Sequence, residues 1–281
     1  MQPKGNVLRR KRRRLATFRG HAGPLPSLAA LILLCAALST AFVARAGPPF
    51  RTDDPEPVDY RHWEFYTATQ YENDQGDLAG TTPHFEANYG VAPDLQLHLL
   101  APLAYDRPAH GPTLLGPGDV ELGVKYRFVQ ESDHVPMVGT FPLLETPIGS
   151  KARGLGSGRP RLFIPVWLQK GFGPWTTYGG GGYWVNPGAG NRDYWFGGWL
   201  LQRDIFPWLT LGVELFHSTP STTDGQHETG YNVGMIVNFS EKHHFIGSAG
   251  TDIHGPANSF FYAAYLLTWG PLAHEAERGK P

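Results

Sequence analysis

Eleven of the twelve histidines lie between residues 47 and 281, and imidazole is both a common metal ligand and the usual general base near neutral pH. His243, His244 and His254 are the obvious ligand candidates. Adjacent residues of an extended chain point to opposite faces, so His243 and His244 diverge, and these histidines read as turn and loop residues in water. His217-Ser218 offers a base beside a nucleophile, but such a pair works only on a shared face, and neighbours at a strand end diverge too. The one cysteine, Cys35, falls in an apolar run near the start. Residues 47–281 therefore hold no disulfide, no thiol nucleophile and no thiolate metal ligand, and no metal or cofactor is expected. What remains is a set of charged residues: Glu64, Glu86, Glu121, Lys125, Arg127 and Glu214. Each sits at every second position of a segment whose other positions are apolar. Both signs occur, so they can pair across a shared interior and brace it, or meet a polar solute there.

The elements that carry these residues are strands. Val120, Leu122, Val124, Tyr126 and Phe128 alternate with Asp119, Glu121, Gly123, Lys125 and Arg127. Leu209, Leu211, Val213 and Leu215 alternate with Thr210, Gly212, Glu214 and Phe216. Period two is the strand signature, and no stretch after residue 46 shows a convincing 3.6-residue repeat. Twelve strands are predicted, near 62–71, 82–91, 95–105, 119–129, 135–144, 161–171, 174–185, 193–203, 208–217, 227–239, 244–251 and 259–269. Most exceed the ordinary strand length of about 5–6 residues and match the roughly 9–11 that a tilted strand needs to cross a bilayer.

The connections have a plan of their own. Those after the odd-numbered strands are long and polar, among them Glu72–Thr81, Asp106–Gly118 and Glu145–Pro160. Those after the even-numbered strands are mostly short, such as Ala92-Pro93-Asp94 and Phe172-Gly173. An even strand count with short turns at one end and longer loops at the other is the plan of an antiparallel transmembrane β-barrel of the outer membrane. Closure pairs every backbone group within lipid, and an exported soluble β domain is the competing arrangement. Aromatic residues near predicted strand ends (Trp63, Tyr71, Tyr89, Tyr105, Trp167, Trp175, Trp184, Tyr194, Trp195, Trp208 and Trp269) suit interfacial girdles. Glycines 179–182 and 197–198, inside strand patterns, read as bends or crowded points of the wall.

The first 46 residues hold nine Lys or Arg and no acid. This basic stretch precedes an apolar run, Leu28 to Val43, that ends at Ala44-Arg45-Ala46, the form of a secretory signal peptide cleaved after Ala46. The whole chain has a net charge of −1. Without the leader, 15 basic and 25 acidic residues leave −10, the wrong sign for a nucleic-acid partner. The expected organisation is thus a signal peptide over 1–46, a periplasmic Pro-rich segment over 47–61, the barrel over 62–269 and a periplasmic tail over 270–281.

Two stretches carry a resemblance. Pro48-Pro49-Phe50-Arg51-Thr52-Asp53-Asp54-Pro55-Glu56-Pro57-Val58 with His62-Trp63-Glu64-Phe65, and Gly118-Asp119-Val120-Glu121-Leu122-Gly123-Val124-Lys125-Tyr126-Arg127-Phe128, resemble the outer-membrane family labelled for the MetA pathway of phenol degradation. Thr146-Pro147-Ile148-Gly149 fits the same pattern. The resemblance implies a Gram-negative outer-membrane barrel that carries small, hydrophobic or aromatic molecules, and it brings no catalytic set. The bilayer and a small solute are then the expected partners, and Glu64, Glu86, Glu121, Lys125, Arg127 and Glu214 the expected lining of the lumen. An envelope-lipid-modifying enzyme, of phospholipase or lipid A type, is the alternative function, and a purely structural barrel a third.

Overall fold

The computed structural model describes residues 49–74 and 76–271. The expected signal peptide and residues 272–281 of the tail lie outside the described residues. The strands are β1 (Trp63–Asp74), β2 (Asp77–Ala92), β3 (Leu95–Arg107), β4 (Leu114–Pro117), β5 (Val120–Val129), β6 (Met137–Thr140) and β7 (Leu143–Thr146). They continue with β8 (Arg161–Phe172), β9 (Trp175–Val185), β10 (Tyr194–Phe206), β11 (Leu209–Ser218), β12 (Glu228–Asn238), β13 (His243–His254) and β14 (Ser259–Trp269). Short β4 and β5 are one staggered strand, since both pair with β3. Short β6 and β7 are likewise one, both lying between β5 and β8. That leaves twelve antiparallel strands, closed where β1 pairs with β14 from Trp63↔Trp269 to Asn73↔Ser259.

The break between β6 and β7 falls at Phe141-Pro142. Proline has no N–H to give a ladder, but its carbonyl still accepts from Val124 N at 3.2 Å. The only helical turn among the described residues is a 3-10 turn at Lys151–Arg153.

One connection differs from expectation. The stretch Glu72–Thr81 is mostly strand, and β1 and β2 run on until Asp74 pairs with Asp77. Asn73 Oδ1 accepts from Gly76 N at 3.0 Å, and Gly76 has φ +108°, a conformation open to glycine. Asp74 and Asp77 are both exposed there. Once both faces of a hairpin meet water, polar/apolar alternation fades, so its composition mimics a loop.

The faces are inverted relative to a soluble sheet. Leu97, Leu99, Leu122, Val124, Val213 and Leu215 are exposed on the outer wall, while Glu64, Glu86, Gln96, Lys125 and Glu214 are buried within. An outward apolar band around a polar interior is what lipid requires of a barrel.

Trp195, Trp208 and Trp269 are exposed at strand ends, as a girdle requires, but Trp167 is 1% exposed and points inward. Its strand is apolar on both faces, with Phe163, Pro165 and Trp167 inside and Ile164 and Val166 outside, so alternation carries no signal there. Trp184 also turns in and stacks on Phe163 with ring centroids 4.8 Å apart.

Candidate functional site

Within the segment 47–61, expected to lie in the periplasm, residues Pro49 to Val58 pack against the inner wall, and Asp59 to Arg61 are exposed beside Gly90 at the end of β2. Its prolines deny it a regular helix or ladder, and its side chains and backbone are paired off by wall residues one after another. Ser248 Oγ donates to the Pro49 carbonyl. Glu214 Oε2 accepts from Arg51 N at 3.2 Å, and its Oε1 accepts from Thr52 N. Lys125 Nζ donates to Asp53 Oδ1 at 2.9 Å and stands 3.5 Å from Asp54 Oδ2. Gln169 Nε2 donates to Glu56 at 3.0 Å, and Val58 N donates to Gln96 Oε1 at 2.8 Å. Thr52 and Asp54 have no solvent exposure at all. Burial pushes the Asp54 carboxyl up from the usual carboxylate range, against the opposing pull of Lys125.

The wall has made room for this segment. A Cβ on Gly198 would stand 2.0 Å from Thr52 Oγ1, and one on Gly234 would stand 2.7 Å from the tip of the Phe50 ring. Glycine is needed at these two inward positions because another part of the chain approaches the wall there.

Beside the segment is a cavity of about 700 Å³. It is bounded mainly by β14, β1, β2, β3 and β5 and by Pro49–Val58 itself, with Phe141, Leu143, Asn232 and Ser248 at its margin. That volume is in the range of small-molecule sites. Of the residues expected to face the lumen, Glu64, Glu86, Glu121 and Lys125 line this cavity. Glu214 is fully buried and holds the inward segment, with Asn232 Nδ2 donating to it at 2.7 Å. Arg127 sits lower and pairs with Asp94 at the turn after β2, Nη2 to Oδ1 2.6 Å. The structure thus brings four of the six together and gives the other two bracing roles.

Sequence patterning missed His98. Its Nδ1 lies 2.7 Å from Asn88 Oδ1 and its Nε2 lies 2.9 Å from Glu121 Oε1. Asn88 Nδ2 in turn donates to Glu86 at 2.8 Å. His98 falls in Gln96-Leu97-His98-Leu99, where parity alone was the available signal. Asp119, prominent in the sequence, accepts from Gly149 N at 2.8 Å and from Ser157 N and Oγ, both at 2.6 Å. It ties the Thr146–Gly149 stretch and the long loop after β7 to the start of β5.

The chemistry-bearing pairs are dispersed. His217 Nδ1 lies 2.8 Å from Thr229 Oγ1, and Ser218 Oγ is 3.5 Å from Glu228 Oε2. His243 meets the Tyr265 hydroxyl, and His244 Nδ1 lies 2.7 Å from Asn238 Oδ1.

A closed wall, an apolar exterior and a polar, partly filled interior define the chain as an outer-membrane-type β-barrel. Solved structures similar to it are of that kind. An outer membrane channel from Pseudomonas putida F1 superposes with a TM-score of 0.65 at 16% identity, covering 77% of this chain and 98% of that one. The KdgM porin gives 0.52 at 10% identity, covering 73% and 99%. The NanC porin gives 0.50 at 8% identity, covering 74% and 100%. At these identities the likeness is one of fold. No family model matches the chain, and no curated protein sequence does.

Proposed function

We propose that this protein is a passive outer-membrane channel for small molecules, including apolar and aromatic ones. The observation that carries this reading is the solute-sized cavity inside a closed barrel, with carboxylates and aromatic rings together on its wall. The similar folds are a channel and two porins by name, which supports the same reading. We place the protein with the outer-membrane family labelled for the MetA pathway of phenol degradation, on the segments of residues 48–65, 118–128 and 146–149. The short-turn end then faces the periplasm, and cleavage after Ala46 leaves Gly47 and Pro48 ahead of the inward segment. Conduction needs no cofactor and no catalytic residue. The one adjacent base–nucleophile pair weighed for a phospholipase does not assemble, because His217 and Ser218 each turn to a different residue.

Purified protein in planar bilayers tests this. Discrete single-channel currents in potassium chloride, with entry of small aromatic solutes into proteoliposomes, are the expected result. Neither current nor solute entry from correctly folded protein would overturn the reading.

A further inference from the structure

The cavity is lopsided in charge. Eight carboxylates line it, against one lysine and one arginine. Counting His84 and His98 as positive still leaves the acids at twice the number of bases. The carboxylates come from every depth of the wall: Asp74 and Asp77 at the tip of the first hairpin, Glu72 below them, then Glu86, Glu121 and Glu64. An interior walled by apolar strands focuses such a field far more than open water does.

Both fixed cations are already held, and each is held in the same way. Arg51 pairs with Glu228, and its guanidinium carbon lies 4.5 Å from the Phe216 ring centre and 4.8 Å from that of Phe260. Lys125 pairs with Asp53 at 2.9 Å, and its ammonium lies 4.9 Å from the Phe141 ring centre. A carboxylate with an aromatic face is a setting that favours a cation. The cavity wall offers more of both: Tyr66 and Tyr262 stand with the acids named above.

His84, also on this wall, is 1% exposed: its Nδ1 is engaged with Thr81 Oγ1 at 2.7 Å, and its Nε2, which has no hydrogen-bond partner, is sealed from the lumen by the atoms around it.

We propose that the cavity selects organic cations, small amines or ammonium compounds with an aromatic or alkyl body, over anions of the same size. This rests on the channel reading above and names the solute class for it. The positive group follows the carboxylates, and the apolar body lies along Tyr66 and Tyr262. An anion of equal size meets the same rings but an opposing field.

The test is the reversal potential of the purified full barrel under gradients of benzyltrimethylammonium chloride and of sodium benzenesulfonate. Both probes carry a fixed charge, so neither crosses the lipid in a neutral form. Potassium chloride current in the same bilayer reports on the channel itself. The expected permeability ratio favours the organic cation by about tenfold. The double variant Glu86→Gln/Glu121→Gln, checked for heat-dependent gel mobility of a folded barrel, is expected to move the ratio toward one. Glu241→Gln, in the exposed turn before β13, is expected to leave it alone. A ratio near or below one with normal potassium chloride current overturns the selectivity and leaves the channel. A double variant that folds and keeps the wild-type ratio removes these carboxylates as its source. Absence of any current overturns both.

Discussion

The two sides of the barrel interior are built from the same alternation and filled in opposite ways. On the side of β8, β9 and β10, the inward positions carry Phe163, Trp167, Tyr178 and Leu200, all nearly or fully buried. Phe141 joins Phe163 and Trp167 in one cluster, with Trp184 and Phe196 against it. On the side of β1, β2, β3 and β5, many inward positions carry carboxylates, amides and imidazoles, a smaller apolar cluster of Tyr66, Ala68, Ile246 and Ala264 sits where β1 meets β14, and a cavity of about 700 Å³ remains. Large apolar side chains gain by closing up on one another. Carboxylates of like charge repel and hold water, so the wall that carries them stays open. The inward segment of residues 49–58 lies between these two regions and is anchored to both, through Gln169 on β8 and through Gln96 on β3.

This contrast can be broken in graded ways. Deleting residues 47–58 should have the largest effect, a several-fold rise in single-channel current, because Pro49–Val58 is the only irregular segment among the described residues that packs inside the wall. Unchanged current would mean that solute bypasses the segment. Trp167→Ala should cost about 3–5 kcal/mol in reversible urea unfolding from vesicles while leaving ion selectivity alone. A selectivity change there would erase the distinction between the two sides. Val213→Lys places a charge on the outer face and should cost about 2–4 kcal/mol if it lies at mid-bilayer, read by the same unfolding experiment. Glu214→Gln weakens the charged acceptor of the Arg51 and Thr52 amides, a loss of about 1.5–3 kcal/mol. It should show as flickering current and faster protease cleavage near Thr52, and a quiet, protease-resistant variant would argue against that anchor.

The wall was largely legible in the sequence and its contents were not. Alternation such as that of Val120–Phe128 places each residue on a face without any knowledge of its neighbours, because the strand period is two. It located all twelve strands, and it put Glu64, Glu86, Glu121, Lys125, Arg127 and Glu214 on the face opposite the apolar one. It failed where both faces share a polarity, at Phe163–Trp167 and in the hydrated hairpin of Glu72–Thr81. The inward course of Pro49–Val58 had no periodic signal, since that segment is held by single long-range contacts. One trace was present beforehand: glycines at inward positions 198, 212 and 234, which make room for Thr52 and Phe50. The gathering of His98 with Glu86 and Glu121 depends on the stagger of three strands, which parity does not fix.

The central claim is that solute passes on the acidic side of the lumen and not through the aromatic side. Residues 47–281 hold no cysteine and Cys35 is the only one before them, so single cysteines introduced into a chain free of Cys35 are clean reporters. Glu86→Cys and Tyr178→Cys, each in an assembled barrel, can be exposed to a water-soluble methanethiosulfonate reagent while current is recorded. Rapid modification and block are expected at position 86, and no change in current at position 178, whose side chain is wholly buried. Block at position 178 with none at position 86 would contradict that claim.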